Sequence, residues 1–216
     1  MSLLWLHSVE QRKGPSMTLE IPGRAIPHST DKTPRLPSGQ RLTDGFPVLT
    51  YGGVPKVDLA TWQFRIFGLV EQEVSLDWDQ FMALPQSKSH SDIHCVTTWS
   101  RYDNDWEGVR IADVLSLAQV KPEAKHVMFH SYGGYTTNVA LDELLYNDAL
   151  LAHTHDGAPL PLEHGGPLRG VVPHLYFWKS AKWVRGIELM ADQRPGFWEM
   201  YGYHIHGDPW KEERYS

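Results

Sequence analysis

The sequence predicts an α+β fold in which mixed sheets of short strands are interspersed with short helices. Segments that alternate apolar and polar residues are short, and so are segments with apolar residues at helical spacing. These segments do not follow the regular strand–helix–strand order that builds a parallel sheet. The α+β class is therefore favoured over the α/β class.

The chain begins with a predicted irregular arm, residues 1–43. Its prolines, at positions 15, 22, 27, 34 and 37, break any helix or central strand. One domain is predicted over residues 44–216, because a chain of 216 residues can build one substantial core without dividing in two.

The first half of this domain contains one predicted strand and two predicted helices. Apolar and polar residues alternate from Trp62 to Ile66, which predicts a half-buried strand ending at Gly68. Residues 75–85 predict a short helix, since acidic residues suit its beginning and the proline at 85 stops it. Apolar residues at helical spacing predict another short helix over residues 110–117.

Further strands are predicted in the second half. Residues 126–130 indicate a strand with Val127 and Phe129 on one face. Asp156-Gly157 lies between apolar flanks and predicts a hairpin within residues 150–160. The remaining predicted elements are a short helix over residues 141–145 and strands over residues 168–172 and 183–189.

Composition excludes several classes of function. A net charge of −6 argues against a nucleic-acid-binding protein, which usually carries a clustered basic surface. No stretch approaches the roughly 20 apolar residues of a membrane span. Residues 1–14 lack a basic stretch followed by a long apolar one and contain no twin-arginine pair, so a cytoplasmic location is expected. The 9 Trp, 9 Tyr and 7 Phe predict a large core, an aromatic-walled pocket, or both.

The single cysteine, Cys95, is the first candidate for chemistry. One cysteine cannot form an internal disulfide, and a four-thiolate metal site is also excluded. A buried inert thiol, a nucleophile and a metal-binding thiolate all remain open. As a nucleophile, Cys95 needs a base such as His94 or His130, although sequence neighbours seldom face each other in a strand.

Residues 164–183 contain the densest group of candidate binding residues. The adjacent Gly165 and Gly166 permit close approach of the backbone to a ligand. Arg169, Lys179 and Lys182 follow, and they would suit an anionic phosphate group. A surface turn with solvated cations is the alternative, but the strongly apolar segments around these cations fit it less well.

Histidines offer a second kind of metal site. Three pairs stand out, namely His90 and His94, His153 and His155, and His204 and His206. Imidazole and thiolate ligands suit zinc, so a zinc-dependent metallohydrolase is an alternative function. Any single histidine is more commonly an ordinary core or surface residue.

Three blocks together resemble the sulfite oxidase family of molybdopterin-dependent oxidoreductases. The blocks are residues 92–109, residues 150–169, and residues 179–188 with 195–203. Their order and spacing make the resemblance specific, and it covers roughly residues 46–205. It implies a catalytic domain of the sulfite oxidase type.

The resemblance also implies a set of functional residues. Cys95 would ligate molybdenum beside the molybdopterin, since a soft sulfur donor suits this metal. The implied cofactor-binding residues are Leu49, Thr50, Tyr51, Cys95, Ser131, His164, Arg169, Ser180, Ala181 and Lys182. Arg101 and His130 are expected beside the reacting centre as catalytic residues, with Asp103 and Tyr132 near them.

The implied reaction is two-electron oxygen-atom transfer to or from a small-molecule substrate. Leu49-Thr50-Tyr51 stands where true sulfite oxidases have a run that contains the sulfite-binding arginine, so reduction of S-oxides or N-oxides is expected ahead of sulfite oxidation. No haem domain accompanies the resemblance, and electrons would pass through a separate partner protein. A pterin-binding module without catalytic activity is a further alternative. The sequence does not define an oligomeric state.

Overall fold

The computed structural model describes residues 34–216. Eleven strands are formed within them, and they are β1 (Arg41–Leu42), β2 (Phe64–Gly68), β3 (Val74–Leu76), β4 (Ser87–His94), β5 (Trp99–Arg110), β6 (His126–Ser131), β7 (Thr136–Ala140), β8 (Leu150–His155), β9 (Ala158–Pro159), β10 (Arg169–Val171) and β11 (Val184–Met190). The helices are α1 (Trp78–Met82), α2 (Ile111–Ser116), α3 (Phe197–Met200) and four 3-10 turns at Leu141–Leu145, Leu162–His164, Phe177–Lys179 and Pro209–Lys211. None of the helices in this described part is long and apolar enough to cross a membrane.

The described strands form two sheets of mixed direction. In the first sheet the order is β1-β5-β8-β10, with β4 added to β5 and β9 added to β8. In the second sheet the order is β3-β2-β11-β6-β7. The β1–β5 and β2–β11 pairs are parallel and the others are antiparallel. The predicted α+β class with mixed sheets and short helices is confirmed.

Local chemistry explains where several elements begin and end. Asp77 caps α1 by accepting a hydrogen bond from the backbone of Gln80, whose side chain accepts from the backbone of Asp77. The helix predicted over residues 75–85 is therefore shorter than expected, and its first residues belong to β3. Asp156 and Gly157 both adopt positive φ and join β8 to β9, as the predicted hairpin requires.

Two long strands, β4 and β5, and three short ones, β1, β3 and β7, were missed by the sequence prediction. β4 and the 12-residue β5 form an antiparallel ribbon that is rich in charged and polar residues. Of the predicted arm, residues 34–43 are described, and β1 within them pairs in parallel with β5. The rest of the arm lies outside the described residues, and its boundary at residue 43 stays a prediction.

The core consists of two apolar clusters. One packs residues of both sheets against each other, including Phe64, Ile66, Phe129 and Leu151. The other surrounds Cys95 and is mainly aromatic, with the side chains of Trp99, Trp106, Tyr176, Phe177 and Trp178. The second cluster therefore places the only cysteine of the chain among large, flat side chains.

The C-terminal segment, residues 203–216, is joined to the core by alternating carboxylates and imidazoles. Glu143 reaches His206 Nε2 at 3.0 Å with one oxygen and His174 Nε2 at 2.8 Å with the other. On the far side, His206 Nδ1 lies 2.7 Å from a carboxylate oxygen of Glu213. The hydrogen bonds from His174 and His206 hold the pKa of Glu143 well below its usual range, and the bond to Glu143 raises the pKa of His206.

This junction predicts a pH-dependent stability. His206, with its raised pKa, contributes fully below about pH 6.5 and loses its contribution as the pH rises through the raised value. Glu143, with its lowered pKa, contributes fully above about pH 4.5 and loses its contribution as the pH falls. We expect His206→Gln to reduce the free energy of unfolding more at pH 5.5 than at pH 8.5, measured by urea titration. His153→Gln should show the opposite trend, since burial lowers the pKa of His153.

Candidate functional site

A cavity of about 370 Å³ opens beside the second core cluster. Its walls come from the connection between β4 and β5, the segment before β2, the loops that flank β10, and the residues around α3. The lining residues are Phe46, Pro47, Leu49, Thr50, Tyr51, Cys95, Val96, Thr97, Trp99, Tyr135, His164, Arg169, Phe177, Trp178, Ser180, Ala181, Lys182, Trp183, Trp198 and Tyr203. Nine of the ten predicted cofactor-binding residues thus line one cavity.

Cys95 lies in the wall of this cavity, immediately after β4. Its side chain is 7% exposed, and its Sγ is 3.2 Å from the hydroxyl of Thr97. Burial raises the pKa of the Cys95 thiol, while the hydrogen bond with Thr97 lowers it. A thiol in such surroundings stays protonated unless a metal or another cation stabilises the thiolate.

Arg169, the first residue of β10, is the most unusual charge in the described part of the molecule. It is 2% exposed, and no carboxylate of residues 34–216 pairs with it. Its guanidinium donates to the carbonyl of His164 at 2.7 Å and to that of Ser180 at 3.0 Å, and it lies 4.3 Å from the ring of Phe177. Burial lowers its pKa to about 9, because a buried site disfavours an uncompensated charge.

Lys182 is the second cation of the cavity. Its Nζ donates to the carbonyls of Leu49 and Glu163 and to the hydroxyl of Thr50 at 2.6–2.9 Å. Burial and the nearby Arg169 lower the pKa of Lys182 to about 8. The ammonium therefore holds the segment before β2 against the loop before β10.

His164 completes the polar part of the cavity. Its ring stacks on Phe46 with centroids 4.0 Å apart. Burial, with help from the charge of Arg169, lowers the pKa of His164, so its imidazole is neutral at pH 7. The neutral ring can donate one hydrogen bond and accept another there without adding a third positive charge.

The glycine pair serves packing within the chain. Gly165 has φ +107°, and a Cβ there would lie 3.0 Å from the side chain of Lys182. A Cβ on Gly166 would lie 2.2 Å from the carbonyl oxygen of Leu160. The absence of a Cβ at both positions thus lets the backbone pack closely against Lys182 and Leu160, and approach of a ligand to this backbone stays a prediction.

Lys179 does not belong to the cavity, although the sequence grouped it with Arg169 and Lys182. Its fully buried Nζ lies 2.6 Å from a carboxylate oxygen of Glu199 and also donates to the carbonyls of Asn138 and Ile205. With its charge compensated by Glu199, Lys179 is a structural cation, and it is not available to an anionic ligand.

Ser180 and Ala181 lie between these two lysines. Ser180 is buried, and its hydroxyl accepts a hydrogen bond from the backbone of Val172 while its carbonyl accepts from Arg169. Ala181 is also buried, and its backbone pairs with that of Gly170. Both residues line the cavity, and their contacts hold its wall against β10.

The structure places three predicted site residues outside the cavity lining. His130 lies on β6 and pairs with Glu188 at 2.9 Å on the sheet face opposite Phe129. Arg101, on β5, pairs with Asp156 at 2.6 Å. Ser131 ends β6 with a buried hydroxyl that has no partner among the described residues.

Asp103 and Tyr132, the two residues expected near the reacting centre, are also absent from the lining of the cavity. Asp103 forms an ion pair with Arg35 at 2.6 Å on the surface. Tyr132 stacks under Arg185. Arg101, Asp103, His130 and Tyr132 were expected near the segments of Cys95 and Ser131 from their order in the sequence, and neither they nor Ser131 line the cavity.

The model of the oxidoreductase molybdopterin binding domain matches residues 51–198. The chain belongs to this family. It is 50% identical over 188 residues to the uncharacterized oxidoreductase YuiH of Bacillus subtilis, which covers 87% of this chain and 95% of that protein. It is 30% identical to the protein-methionine-sulfoxide reductase catalytic subunit MsrP of Gluconobacter oxydans over 73% of this chain and 60% of that protein.

A plant relative and a solved structure extend the comparison. The chain is 28% identical to the sulfite oxidase of Arabidopsis thaliana over 72% of this chain, and it spans 49% of that protein. It thus covers less than two thirds of this relative and of the reductase subunit. The sulfane dehydrogenase SoxCD of Paracoccus pantotrophus matches 65% of this chain and 41% of its own, with a TM-score of 0.60 and 21% identity, which shows a shared fold.

The residues of the cavity fit the cofactor of this family. Molybdopterin ends in a phosphate, and Arg169 offers a buried guanidinium whose hydrogen-bond partners among the described residues are all carbonyls. Cys95, the single cysteine of the chain, lines the same cavity, and its sulfur is a soft donor that suits a metal such as molybdenum. The chain is therefore a molybdopterin-dependent oxidoreductase of the sulfite oxidase type, as the resemblance implied.

Sequence reasoning missed most of the aromatic wall. The lining residues that it did not single out include Trp99, Tyr135, Phe177, Trp178, Trp198 and Tyr203. Tyr135 donates to the carbonyl of Trp178 at 2.7 Å, and burial raises the pKa of its hydroxyl well above its ordinary value. High aromatic content predicted a pocket of this kind, but nothing in the residue pattern indicated which aromatic side chains would form it.

The described part of the chain contains no site that would support the alternative of a zinc-dependent metallohydrolase. Within residues 34–216, no group of three or more His, Cys, Asp and Glu side chains is arranged to hold a metal ion. The three histidine pairs have other partners: His90 pairs with Asp105, His153 with Gln86, and His206 with Glu143 and Glu213.

The contrast between the two lysines predicts different effects of substitution. Lys179→Met leaves the carboxylate of Glu199 buried and unpaired, which costs about 3–5 kcal/mol of unfolding free energy. Lys182→Met, at a half-buried site without a carboxylate partner, should cost about 1 kcal/mol or less. Urea titration of both variants measures the difference, and equal losses would contradict the assignment of Lys179 as the structural cation.

Proposed function

We propose that this protein reduces a small, neutral S-oxide or N-oxide by two-electron oxygen-atom transfer. The observation that carries the proposal is the distribution of charge in the cavity. Among its lining residues the cations are Arg169 and Lys182, and most of the remaining wall is aromatic or aliphatic. Both cations are suited to the phosphate of the cofactor, and with them engaged no lining cation is left for the substrate.

The residues that would hold the cofactor follow from their chemistry. Arg169 and Lys182 would bind its anionic end, and an anion there would compensate the charge that burial disfavours in Arg169. The sulfur of Cys95 would bind the metal. When bound, molybdopterin supplies a redox centre that exchanges two electrons and one oxygen atom with a substrate.

The protein's own contribution is positioning and exclusion of water. Trp99, Phe177 and Trp198 present large apolar surfaces to the cavity. The apolar substituents of a sulfoxide or amine oxide can pack against such a wall. The oxygen atom of either compound is its only strong hydrogen-bond acceptor. His164 is neutral and can donate a hydrogen bond to that acceptor without attracting anions in general.

Sulfite is a poorer fit to this wall. A dianion needs charge-assisted hydrogen bonds, each of which contributes about 1.5–3 kcal/mol. The sulfite-binding arginine expected in sulfite oxidases is replaced by Leu49-Thr50-Tyr51, and all three of these residues line the cavity. Removing that cation therefore weakens binding of an anion more than binding of a neutral oxide.

Reduction of an S-oxide or N-oxide requires an electron donor. Two electrons and two protons convert an S-oxide into a thioether and water, with cleavage of the sulfur–oxygen bond. We propose that the electrons come from a separate electron-transfer protein and that the reaction takes place in the cytoplasm. The lone cysteine, which excludes an internal disulfide, agrees with that location. Relatives named as methionine-sulfoxide reductase subunits support a reductive reaction.

Arg169 and Cys95 can be tested by cofactor content. Arg169→Met should lower the molybdenum and pterin content of protein made in a cofactor-producing host at least about tenfold, because a charge-assisted contact to the phosphate is lost. Cys95→Ala should keep the pterin but lose turnover. Arg185→Met, on the exposed face of β11, is the control and should retain full content. Full occupancy in Arg169→Met would contradict its role.

The substrate class is tested with the loaded enzyme and dye reagents. We expect kcat/KM for dimethyl sulfoxide or trimethylamine N-oxide, with a reduced dye as donor, to exceed that for sulfite, with an oxidised dye as acceptor, at least about tenfold. Cys95→Ala, which should lose turnover, is the control for reaction of the dyes without enzymatic catalysis. Faster oxidation of sulfite would reverse the proposed substrate class. A fully loaded enzyme that turns over neither class would indicate a non-catalytic pterin-binding module.

A further inference from the structure

Four residues, 95–98, connect β4 to β5, and we name them the Cys95 turn. The backbone N–H of Cys95 donates to the carbonyl of Trp99 at 2.8 Å, and that of Thr98 donates to the carbonyl of Cys95 at 3.0 Å. Cys95 therefore lies in a tight turn and belongs to neither a helix nor a strand. Its position depends on how firmly this turn is held.

The turn contains a strained residue. Thr98 has φ +74°, in the left-handed region that β-branched side chains rarely enter. Such a conformation costs on the order of 1–3 kcal/mol and persists only where surrounding contacts fix it. Contacts from outside the turn should therefore be present, and they should act on its backbone.

Two segments from opposite ends of the described chain supply those contacts. The side chain of Gln40 donates to the carbonyl of Cys95 at 3.1 Å, and the backbone N–H of Arg41 donates to that of Thr98 at 2.9 Å. Arg214 donates to the carbonyl of Val96 at 2.6 Å. Three of the four carbonyls in the turn thus accept a hydrogen bond from one segment or the other.

The two segments also contact each other. Arg214 reaches the carbonyl of Ser38 at 3.4 Å, and a Cβ on Gly39 would lie 3.3 Å from its guanidinium. The guanidinium lies 5.0 Å from the ring of Tyr176, a fully buried member of the cluster around Cys95. Arg214 is thus seated between the turn, the segment before β1 and the core.

We propose that Gln40 and Arg214 are positioning residues that fix the Cys95 turn and so set where the thiolate meets the metal. They act on the backbone of the turn and have no contact with the reacting atoms. Both lie outside residues 51–198, the part that the family model matches. The proposal rests on the proposed function in one respect, namely that Cys95 ligates molybdenum.

The first test measures the turn without reference to any substrate. Hydrogen exchange of a peptide containing residues 93–100 should be about tenfold faster in Arg214→Met and in Gln40→Ala than in the parent enzyme, with exchange in β6 and β11 unchanged. Arg214→Lys keeps one donor and should restore part of the protection. Arg65→Met, which removes a surface cation over an aromatic ring, is the matched control. Unchanged exchange in both variants, or a uniform increase over the whole protein, would overturn the proposal.

The second test uses the loaded enzyme. Arg214→Met and Gln40→Ala should keep their molybdenum content but shift the electron paramagnetic resonance signal of Mo(V), because the thiolate ligand is displaced. They should lower kcat severalfold and leave KM within about twofold, since the substrate wall is intact. An unshifted signal would refute the positioning role. A shifted signal with no turnover of S-oxides or N-oxides would leave this role standing and reject only the proposed substrate class.

Discussion

An uncompensated positive charge inside the protein organises this site. Arg169 lies at the start of a short strand, with its guanidinium held by the carbonyls of His164 and Ser180. Those carbonyls solvate the charge only in part, because dipoles replace water less well than an opposite charge does. Its two carbonyl partners lie in the segments on either side of β10, and Lys182, two residues after Ser180, lines the same cavity. The buried guanidinium therefore joins both segments at the cavity.

Charge compensation distinguishes Lys179 from the two cations that line the cavity, Arg169 and Lys182. Lys179 and Lys182 are three residues apart, but Lys179 has Glu199 beside it whereas Lys182 has only carbonyls and a hydroxyl. A paired buried cation contributes to folding and offers nothing to a ligand. An unpaired cation can gain from an anion because it has already lost much of its water. In the sequence the three cations of this segment look alike, because only the fold shows that Glu199 lies beside Lys179.

Much of the fold and most of the site were predictable from the sequence. Segments with clear periodicity, such as residues 64–68 and the hairpin at Asp156-Gly157, formed as expected because local preference and burial agree there. β4 and β5 were not predictable, since their stability comes from pairing with each other and with β8 and not from an apolar pattern. His130 and Ser131 are adjacent on β6 and neither lines the cavity, so their predicted roles stay predictions. Adjacent residues of a strand point to opposite faces, so sequence order alone could not show which of them faces Cys95.

The contacts around Cys95 show why a recognisable family core does not by itself define the site. The residues matched by the family model include the thiol and the cations, but the backbone that carries the thiol is held by residues before and after that region. The turn has two backbone hydrogen bonds of its own, from Cys95 to Trp99 and from Thr98 to Cys95, but it also contains a threonine in the left-handed region. Contacts of long sequence separation must supply the missing rigidity. The carboxylate–imidazole junction at Glu143 and His206 belongs to the same system, because it fixes the C-terminal segment from which Arg214 extends.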